Sequence, residues 1–285
     1  MYRTLITVDE LEAMLADDTP EIILDCRYDI SNANYADEVF ADGHVPNAIR
    51  VDMDTQLSGP HVPGAGRHPW PLVEDWQQQL STWGIGPDTQ VFVYDQGPGM
   101  FAARAWFLLK SVGHEAVAVL DGGFKAWEDA GKPISGGKSH SSPIERHERM
   151  EFEQQRLVDA DELLRRQRDG WTVVDSRSAD RYRGENETID RVGGHVPGAL
   201  NRPFADNLTA DGRFKSADQL AEELKQLLGS QSADQSIFYC GSGVTAAHNL
   251  LAMEIARLPG ASLYTGSWSG WTEDEDRPVN TGDQP

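Results

Sequence analysis

Stretches with a helical hydrophobic period recur along the chain and predict amphipathic helices. Residues 218–228 place three leucines on one helical face, and Gly229 follows as a stop signal. Residues 73–83 have the same pattern earlier in the chain. These two stretches are predicted to be helices that cover an apolar layer with one face.

A short apolar run precedes each of two further predicted helices. The helices span residues 101–112 and 245–258, and the runs are Val91–Tyr94 and Ile237–Tyr239. Runs of this length that are rich in β-branched and aromatic residues are typical of buried strands. Alternation of such strands with helices predicts an α/β fold, in which helices cover both faces of a parallel sheet.

Four pairs of segments occur in the same order in the two halves of the sequence. The pairs are residues 22–27 and 173–177, 43–48 and 194–199, 91–95 and 237–240, and 121–127 and 265–271. A shared order of four similar segments indicates an internal duplication. The region between the halves, around residues 131–143, is rich in Gly, Ser and Pro and is typical of a linker. We therefore predict two domains, at residues 1–134 and 157–285, joined by a linker at 135–156.

Composition narrows the classes of partner. The 285 residues include 46 acidic residues and 25 Lys plus Arg, a net charge of −21, which disfavours binding to nucleic acid or anionic lipid. No apolar run approaches the roughly 18–20 residues that cross a membrane, and the first residues do not resemble a secretory signal. The two cysteines suit a reducing compartment, so we expect a soluble, cytoplasmic protein.

Cys240 follows the second predicted strand and opens the loop Cys-Gly-Ser-Gly-Val-Thr. Gly241 and Gly243 allow the backbone to turn tightly, so that several N–H groups converge beside the start of a helix. Such a site favours a thiolate and could also hold a persulfide anion. The alternative is that Cys240 is a small buried apolar residue, as free cysteines often are.

The duplication distinguishes the two halves. Asp95 occupies the position of Cys240 in the first half and cannot be a sulfur nucleophile, so one active site per chain is predicted. Cys26 has no converging glycine loop and is interpreted as structural. His44 and His195 occur in both halves, in matching Gly-His-Val-Pro segments, and are also interpreted as structural.

These landmarks resemble the rhodanese-type sulfurtransferases over nearly the whole chain. The resemblance implies two tandem rhodanese-like domains, of which the first is inactive and the second carries sulfur on a cysteine persulfide. A related phosphatase fold has an arginine at the sixth position after its cysteine, where this chain has Ala246. Without that guanidinium, phosphoester hydrolysis is disfavoured.

The resemblance also implies a sulfur donor. Family loops with basic residues after the cysteine use thiosulfate, whereas Cys-Gly-Ser-Gly-Val-Thr resembles members that use 3-mercaptopyruvate. The neutral residues Gly241 and Ser242 agree with that donor, because a dianion needs cations. The loop residues Gly241, Gly243, Val244 and Thr245 are expected to bind the donor. The expected reaction moves sulfur from 3-mercaptopyruvate through Cys240 to cyanide or a thiol, such as a small thiol or a thioredoxin-like protein, and releases pyruvate.

Further site residues are carried over from the family. Its two substrate arginines fall on Arg181 and, less closely, on Arg191, because the stretch before Arg191 lacks the family's prolines. An acid and a histidine from the first domain fall on Asp54 and His68, with His61 as a rival. Ser242 is placed to hold a developing oxyanion.

Two other functions remain open from the sequence. One is transfer of sulfur from thiosulfate to cyanide, and the other is a binding module that uses the same scaffold without catalysis. No metal site or other cofactor is suggested, because the chain has two cysteines and few clustered histidines.

Overall fold

The computed structural model describes residues 1–17, 21–138, 140–145 and 149–285. The chain divides into two compact units. Unit 1 comprises Met1–Gly59, Pro71–Phe152 and Ala210–Arg213, and unit 2 comprises Pro60–Trp70, Glu153–Thr209 and Phe214–Pro285.

Unit 1 contains a parallel sheet with the strand order β1-β5-β4-β2-β3. Its strands are β1 Leu5–Ile6, β2 Glu21–Asp25, β3 Ile49–Arg50, β4 Gln90–Tyr94 and β5 Val117–Leu120. Its helices are α1 Val8–Ala16, α2 Tyr35–Asp42, α3 Val73–Trp83, α4 Ala102–Lys110 and α5 Gly123–Asp129.

Unit 2 repeats this topology with the order β6-β10-β9-β7-β8. Its strands are β6 Leu157–Val158, β7 Thr172–Asp175, β8 Leu200–Asn201, β9 Ser236–Tyr239 and β10 Ser262–Tyr264. Its α-helices are α6 Ala160–Arg168, α7 Ala179–Arg183, α8 Ala217–Leu228, α9 Thr245–Ile255 and α10 Ser267–Trp271. Short 3-10 helices lie at Gln154–Arg156, Phe204–Asn207 and Ala233–Gln235.

The α/β fold and the duplication predicted from the sequence are confirmed by the two matching sheets. Helix α3 has the predicted bounds, and α8 ends at Leu228, directly before Gly229, as expected. Helix α9 ends at Ile255, before the predicted Leu258. Arg257 has a φ of 58°, outside the helical region, and Pro259 disfavours a helical residue before it.

The predicted domain boundaries remain predictions, and the compact units divide the chain at other positions. Residues 60–70 fall within the predicted first domain but pack as part of unit 2, and residues 210–213 pack as part of unit 1. Both are loop segments that carry no periodic signal, so their packing could not be read from the hydrophobic pattern. Ser139 and residues 146–148 of the predicted linker lie outside the described residues.

The apolar core of unit 2 fixes the position of strand β9 and of the residues that follow it. Val173, Ile237, Tyr239, Tyr264 and Trp268 are among the side chains that form one buried apolar cluster around the sheet. Strand β9 lies at the centre of that sheet and ends at Tyr239. Residues that follow a central parallel strand lie at the edge where α/β proteins bind ligands.

No helix in the described ranges has both the length and the apolar character needed to cross a membrane.

Candidate active site

Cys240 directly follows β9 and is held by hydrogen bonds on both sides of its backbone. Its side chain is buried, and its Sγ accepts a hydrogen bond from the Gly243 N–H at 3.2 Å. The Cys240 N–H donates to Ser267 Oγ at 3.2 Å, and the Trp268 N–H donates to the Cys240 carbonyl at 2.9 Å. The thiol is therefore fixed at the mouth of a loop that directs at least one N–H group to its sulfur.

Ser267 is a supporting residue that the sequence reasoning did not single out. Its φ of 51° lies in the left-handed region, which costs free energy for a residue with a side chain. Gly123, at the matching place in unit 1, has a φ of 60°. The serine side chain compensates in unit 2, because its hydroxyl accepts from Cys240 and donates to the Tyr264 carbonyl at 3.0 Å.

Ser242 and His68 form a polar pair beside the cysteine loop. Nδ1 of His68 lies 2.7 Å from Ser242 Oγ, and both side chains are buried. Val244 ends the loop, and α9 begins at Thr245. The structure thus brings His68 to the loop that carries Cys240, although the two residues are far apart in sequence.

Two arginines converge on Gly241. A Cβ atom added to Gly241 would lie 3.3 Å from Nη2 of Arg67 and 3.5 Å from Nη2 of Arg181. Asp190 joins the two guanidiniums, because its Oδ1 lies 2.7 Å from Arg67 Nη1 and its Oδ2 lies 2.8 Å from Arg181 Nη2. Arg67 was not among the residues predicted from sequence. Only its neighbour His68 was selected, on the family pattern.

Glu187 holds Arg181 from the other side. Arg181 donates to both carboxylate oxygens of Glu187, at 2.9 and 3.0 Å. Burial acts to raise the pKa of Glu187, but hydrogen bonds from Arg181 and from the Asp190 and Ile189 N–H groups outweigh burial and keep that pKa below its ordinary value. Glu187 is therefore a carboxylate that fixes the direction of Arg181.

The segment 60–70 reaches this site through close backbone packing on α10. Side chains added at Gly266 or Gly270 would overlap the carbonyl oxygen of Gly64. The Arg67 N–H also donates to Ser269 Oγ at 3.0 Å. Glycines are required here because two stretches of backbone touch, and this contact determines where Arg67 lies.

Two other predicted site residues have hydrogen bonds to partners outside the group formed by Arg67, Arg181, Asp190 and Glu187. Arg191 donates to Glu275 at 3.0 Å and to the Thr272 carbonyl at 2.7 Å, and its side chain is 56% exposed. Asp54 belongs to unit 1, where the Tyr28 hydroxyl donates to its carboxylate at 3.1 Å.

In unit 1, the loop that matches the cysteine loop holds a carboxylate. Asp95 is fully buried and accepts four backbone hydrogen bonds at 2.8 to 3.4 Å. The donors are the N–H groups of Gly97, Gly99, Phe101 and Ala102. Burial raises the pKa of Asp95, and these N–H groups oppose that effect. The loop geometry of this fold can therefore surround an anion with backbone N–H groups.

The paired histidines make the same contacts in both units. His44 stacks on Phe40 and its Nδ1 lies 2.7 Å from the Phe40 carbonyl. His195 stacks on Tyr182 and its Nδ1 lies 2.8 Å from the Tyr182 carbonyl. A contact that is repeated in the unit with Asp95 in place of the cysteine supports a structural role for both.

Cys26 differs from Cys240 in its surroundings. Burial raises the pKa of the Cys26 thiol well above its ordinary value, and the nearby carboxylates of Asp25 and Asp95 add to the effect.

Across the residues that the structure describes, no three or more His, Cys, Asp or Glu side chains are grouped as metal ligands.

Comparisons with known proteins identify the family of the chain. The family model described as "Rhodanese-like domain" matches residues 7–130 and 159–274. A Pseudomonas aeruginosa protein named "Probable 3-mercaptopyruvate sulfurtransferase" is 42% identical over 98% of both chains. The human 3-mercaptopyruvate sulfurtransferase is 35% identical over 81% of this chain and 78% of its own. Relatives named as thiosulfate sulfurtransferases also match, at 30% to 34% identity.

A solved structure is similar as well. The 3-mercaptopyruvate sulfurtransferase of Leishmania major superposes with a TM-score of 0.82 and 29% identity, covering 94% of this chain and 73% of that one. The family model matches a segment in each unit, and the Pseudomonas relative covers 98% of the chain. The chain therefore belongs to the rhodanese-like family, as a sulfurtransferase with two tandem rhodanese-like domains.

Proposed function

We propose that this sulfurtransferase takes sulfur from 3-mercaptopyruvate, carries it as a persulfide on Cys240 and releases pyruvate. The persulfide then passes its outer sulfur to cyanide or to a thiol, which includes small thiols and thioredoxin-like proteins. The observation that carries the proposal is the neutral cysteine loop, in which Cys240 Sγ accepts the Gly243 N–H and Ser242 contacts His68.

The first step is attack of the Cys240 thiolate on the donor sulfur. A sulfur–sulfur bond forms, and the carbon–sulfur bond of the donor breaks with its electron pair moving to carbon. The leaving group is the enolate of pyruvate, which takes up a proton to become pyruvate. The step therefore needs both a donor of hydrogen bonds to the enolate oxygen and a source of a proton.

Ser242 and His68 are proposed to serve this need together. The 2.7 Å separation of Ser242 Oγ and His68 Nδ1 allows the hydroxyl to hydrogen-bond the developing oxyanion while the imidazole exchanges a proton with it. Asp54 is proposed as a further acid on the family resemblance. Asp54→Asn should then lower kcat, whereas an unchanged kcat would remove it from the site.

The persulfide is proposed to be held by the N–H groups that follow Cys240. Asp95 supports this reading, because four such N–H groups surround its carboxylate in the matching loop. Gly99 donates to Asp95 as Gly243 donates to Cys240, and both glycines have a positive φ, of 83° and 78°.

The choice of donor rests on charge. Gly241, Ser242 and Gly243 bring no cation next to the sulfur, and 3-mercaptopyruvate carries one carboxylate that an arginine can bind through paired N–H groups. Arg181 is proposed to bind it. Arg191 is the sequence-based candidate for a second contact, although its own hydrogen bonds go to Glu275 and Thr272.

The second candidate donor is thiosulfate, which is favoured by the two guanidiniums beside Gly241. Comparison of kcat/KM for the two donors in one assay distinguishes the candidates.

We propose the cytoplasm as the compartment, because both cysteines are free and such thiols persist where glutathione keeps them reduced.

The proposal is tested by incubating the protein with 3-mercaptopyruvate and a thiol acceptor. Pyruvate should appear with the wild-type protein and be absent with Cys240→Ser, while Cys26→Ser serves as the matched control and should keep activity. Pyruvate release by Cys240→Ser at the wild-type rate would contradict the mechanism.

A further inference from the structure

A buried group of polar side chains joins helix α9 to the ends of two strands in unit 2. Asn249, in the second turn of α9, donates one amide hydrogen to Ser176 Oγ at 2.8 Å and the other to the Arg202 carbonyl at 2.9 Å. Ser176 directly follows β7, and Arg202 directly follows β8. Asn249 and Ser176 are fully buried, so their hydrogen bond is shielded from water.

The oxygen of the Asn249 amide is bound as well. Asn207 donates one amide hydrogen to Asn249 Oδ1 and the other to Nδ1 of His248 at 3.2 Å. Asn207 and His248 are fully buried, and the His248 ring stacks on Phe214 with the ring centroids 4.5 Å apart. Each hydrogen of the two amide groups therefore has an acceptor. A buried polar network with its groups paired in this way holds its members in one arrangement.

Ser176 connects this network to the nucleophile. Its N–H donates to the carbonyl of Tyr239 at 2.8 Å, and Tyr239 is the residue before Cys240. Its hydroxyl accepts from Asn249 on the helix that follows the cysteine loop. Ser176 is thus bound to the elements at both ends of the loop 240–244. Fixing both ends restricts the backbone between them, which includes the Gly243 N–H that donates to Cys240 Sγ.

Unit 1 carries different side chains at the two matching positions. In the duplicated sequence, Cys26 matches Ser176 and Ala105 matches Asn249. The first match lies in a shared Asp-x-Arg pattern, and the second follows a shared Ala-Ala pair. Cys26 and Ala105 are buried like their counterparts, but an alanine side chain has no hydrogen to donate. The hydrogen bond between Asn249 and Ser176 is therefore specific to the unit that carries Cys240.

The comparison of the units separates folding from positioning. Unit 1 has the same strand order as unit 2 with Cys26 and Ala105 at these positions. A buried hydrogen-bonded pair and an apolar pair of similar shape can contribute nearly equally to stability. Apolar contact is not directional, whereas a satisfied hydrogen bond in the interior fixes an orientation. The polar pair in unit 2 therefore contributes direction more than stability.

We infer that Asn249 and Ser176 are positioning residues for sulfur transfer. Their hydrogen bond fixes the start of α9 relative to the end of β9, and this keeps the Gly243 N–H directed at the sulfur of Cys240. Both residues act through the loop. The inference deepens the proposed function and rests on it for the reaction that the loop performs.

The test follows the first turnover, in which excess 3-mercaptopyruvate without an acceptor releases one pyruvate per chain. The dependence of its rate on donor concentration gives a maximum rate constant and a half-saturating concentration. Ser176→Ala removes the acceptor and should lower the maximum rate constant by about 2- to 10-fold, the fold-change equivalent to one hydrogen bond. The half-saturating concentration should change by less than about twofold, because the groups that bind the donor are kept.

Asn249→Ala removes three hydrogen bonds and should lower the same rate constant by about tenfold or more. The double variant Ser176→Ala/Asn249→Ala then tests whether the two residues act through their shared bond. Its rate constant should match that of Asn249→Ala. A loss equal to the product of the two single losses would mean that they act separately and would overturn the inference. Ser176→Ala carries the test alone if Asn249→Ala does not fold.

Ser262→Ala is the matched control. Ser262 is another buried serine of unit 2, whose Oγ lies 3.0 Å from Arg166 Nη1 and 3.1 Å from the Gln155 carbonyl. It begins β10, at the end of the sheet away from the cysteine loop. Its variant should lower the Tm and keep the wild-type rate constant. An equal loss of rate in this control, or a lower Tm with an unchanged rate constant in Ser176→Ala, would indicate a purely structural role and overturn the inference.

Failure of the proposed function has a different signature, because it appears in the wild-type protein. If the wild type released sulfite from thiosulfate but no pyruvate from 3-mercaptopyruvate, the donor assignment would fall. The same variants would then be compared by sulfite release, and a wild-type rate in Ser176→Ala would overturn the positioning role. A wild-type protein that used neither donor would contradict both proposals.

Discussion

At the scale of single residues, the two units carry different side chains at the start of the same loop. Asp95 and Cys240 follow matching central strands, and each lies at the start of a glycine-containing turn. The carboxylate of Asp95 in unit 1 accepts hydrogen bonds from the backbone N–H groups of its loop. The thiol of Cys240 in unit 2 is instead the side chain that we propose reacts with the sulfur donor. The sequence identified this difference because the duplication aligns the two positions.

The two cysteines should differ in reactivity. Since burial raises the pKa of the Cys26 thiol well above its ordinary value, Cys26 stays protonated through neutral pH and is a poor nucleophile. A thiol reagent should therefore label one cysteine per folded chain at pH 7 and two after unfolding. Peptide mapping should locate the fast-reacting group at Cys240. Labelling of Cys26 in the folded protein at a comparable rate would contradict this assignment.

Asp95→Asn should destabilise unit 1. The amide keeps one acceptor oxygen and turns its NH₂ toward N–H groups that now donate to a carboxylate, so buried donors are left unpaired at a cost of about 1–3 kcal/mol. Urea unfolding measures the change, with the exposed Asp88→Asn as control. Equal free energies of unfolding for Asp95→Asn and the wild type would show that the four hydrogen bonds at Asp95 make no net contribution to stability.

At the residue scale, some candidate site residues could be predicted from the sequence and others could not. Cys240 and Ser242 could be selected as candidates because they belong to one recognisable loop, and His68 because of the family pattern. Arg67 could not, because its partner Asp190 lies 123 residues away and no local pattern links them. Ser267 was missed for a similar reason. Its role depends on a backbone conformation that the side-chain pattern does not reveal.

At the scale of elements, hydrophobic period predicted the helices well and the irregular segments poorly. Helix α8 has the buried leucine face that its sequence predicts, and Gly229 follows its last residue. The segment 60–70 has no such period, yet its glycines bring Arg67 and His68 to the cysteine loop. Backbone contact between Gly64 and α10 is a tertiary feature, so only the structure could show it.

Gly270→Ala should disturb this contact. The added methyl group would overlap the Gly64 carbonyl, and relief of such overlap shifts the backbone at a cost of about 1–3 kcal/mol. Both the Tm and kcat/KM for 3-mercaptopyruvate should fall, because Arg67 and His68 move with the segment. In the control Gly97→Ala the methyl group meets nothing within 4 Å, so the Tm should remain near that of the wild type. A Gly270→Ala variant with wild-type activity would show that the packing of this segment does not position the site.

At the scale of the whole molecule, the two family matches at residues 7–130 and 159–274 account for the repeated topology. The acidic composition is a second global property. A net charge of −21 surrounds a site that must admit an anionic donor. Long-range repulsion of this kind falls as salt shortens the distance over which charges interact.

Salt should therefore accelerate the reaction with the anionic donor. Raising ionic strength from about 0.01 to 0.15 M shortens the screening length from roughly 30 to 8 Å, so kcat/KM for 3-mercaptopyruvate should increase. The neutral donor mercaptoacetone provides the comparison and should show little change. A fall in kcat/KM for 3-mercaptopyruvate would mean that the local cations of Arg67 and Arg181 outweigh the global charge.

The central claim is that Cys240 carries the transferred sulfur, and mass spectrometry of the donor-treated protein tests it most directly. After incubation with 3-mercaptopyruvate and no acceptor, the peptide containing Cys240 should gain the mass of one sulfur atom, with one pyruvate released per chain. A later addition of cyanide should remove that mass. Absence of added sulfur on Cys240 while pyruvate continues to form, or its appearance on Cys26 instead, would contradict the account.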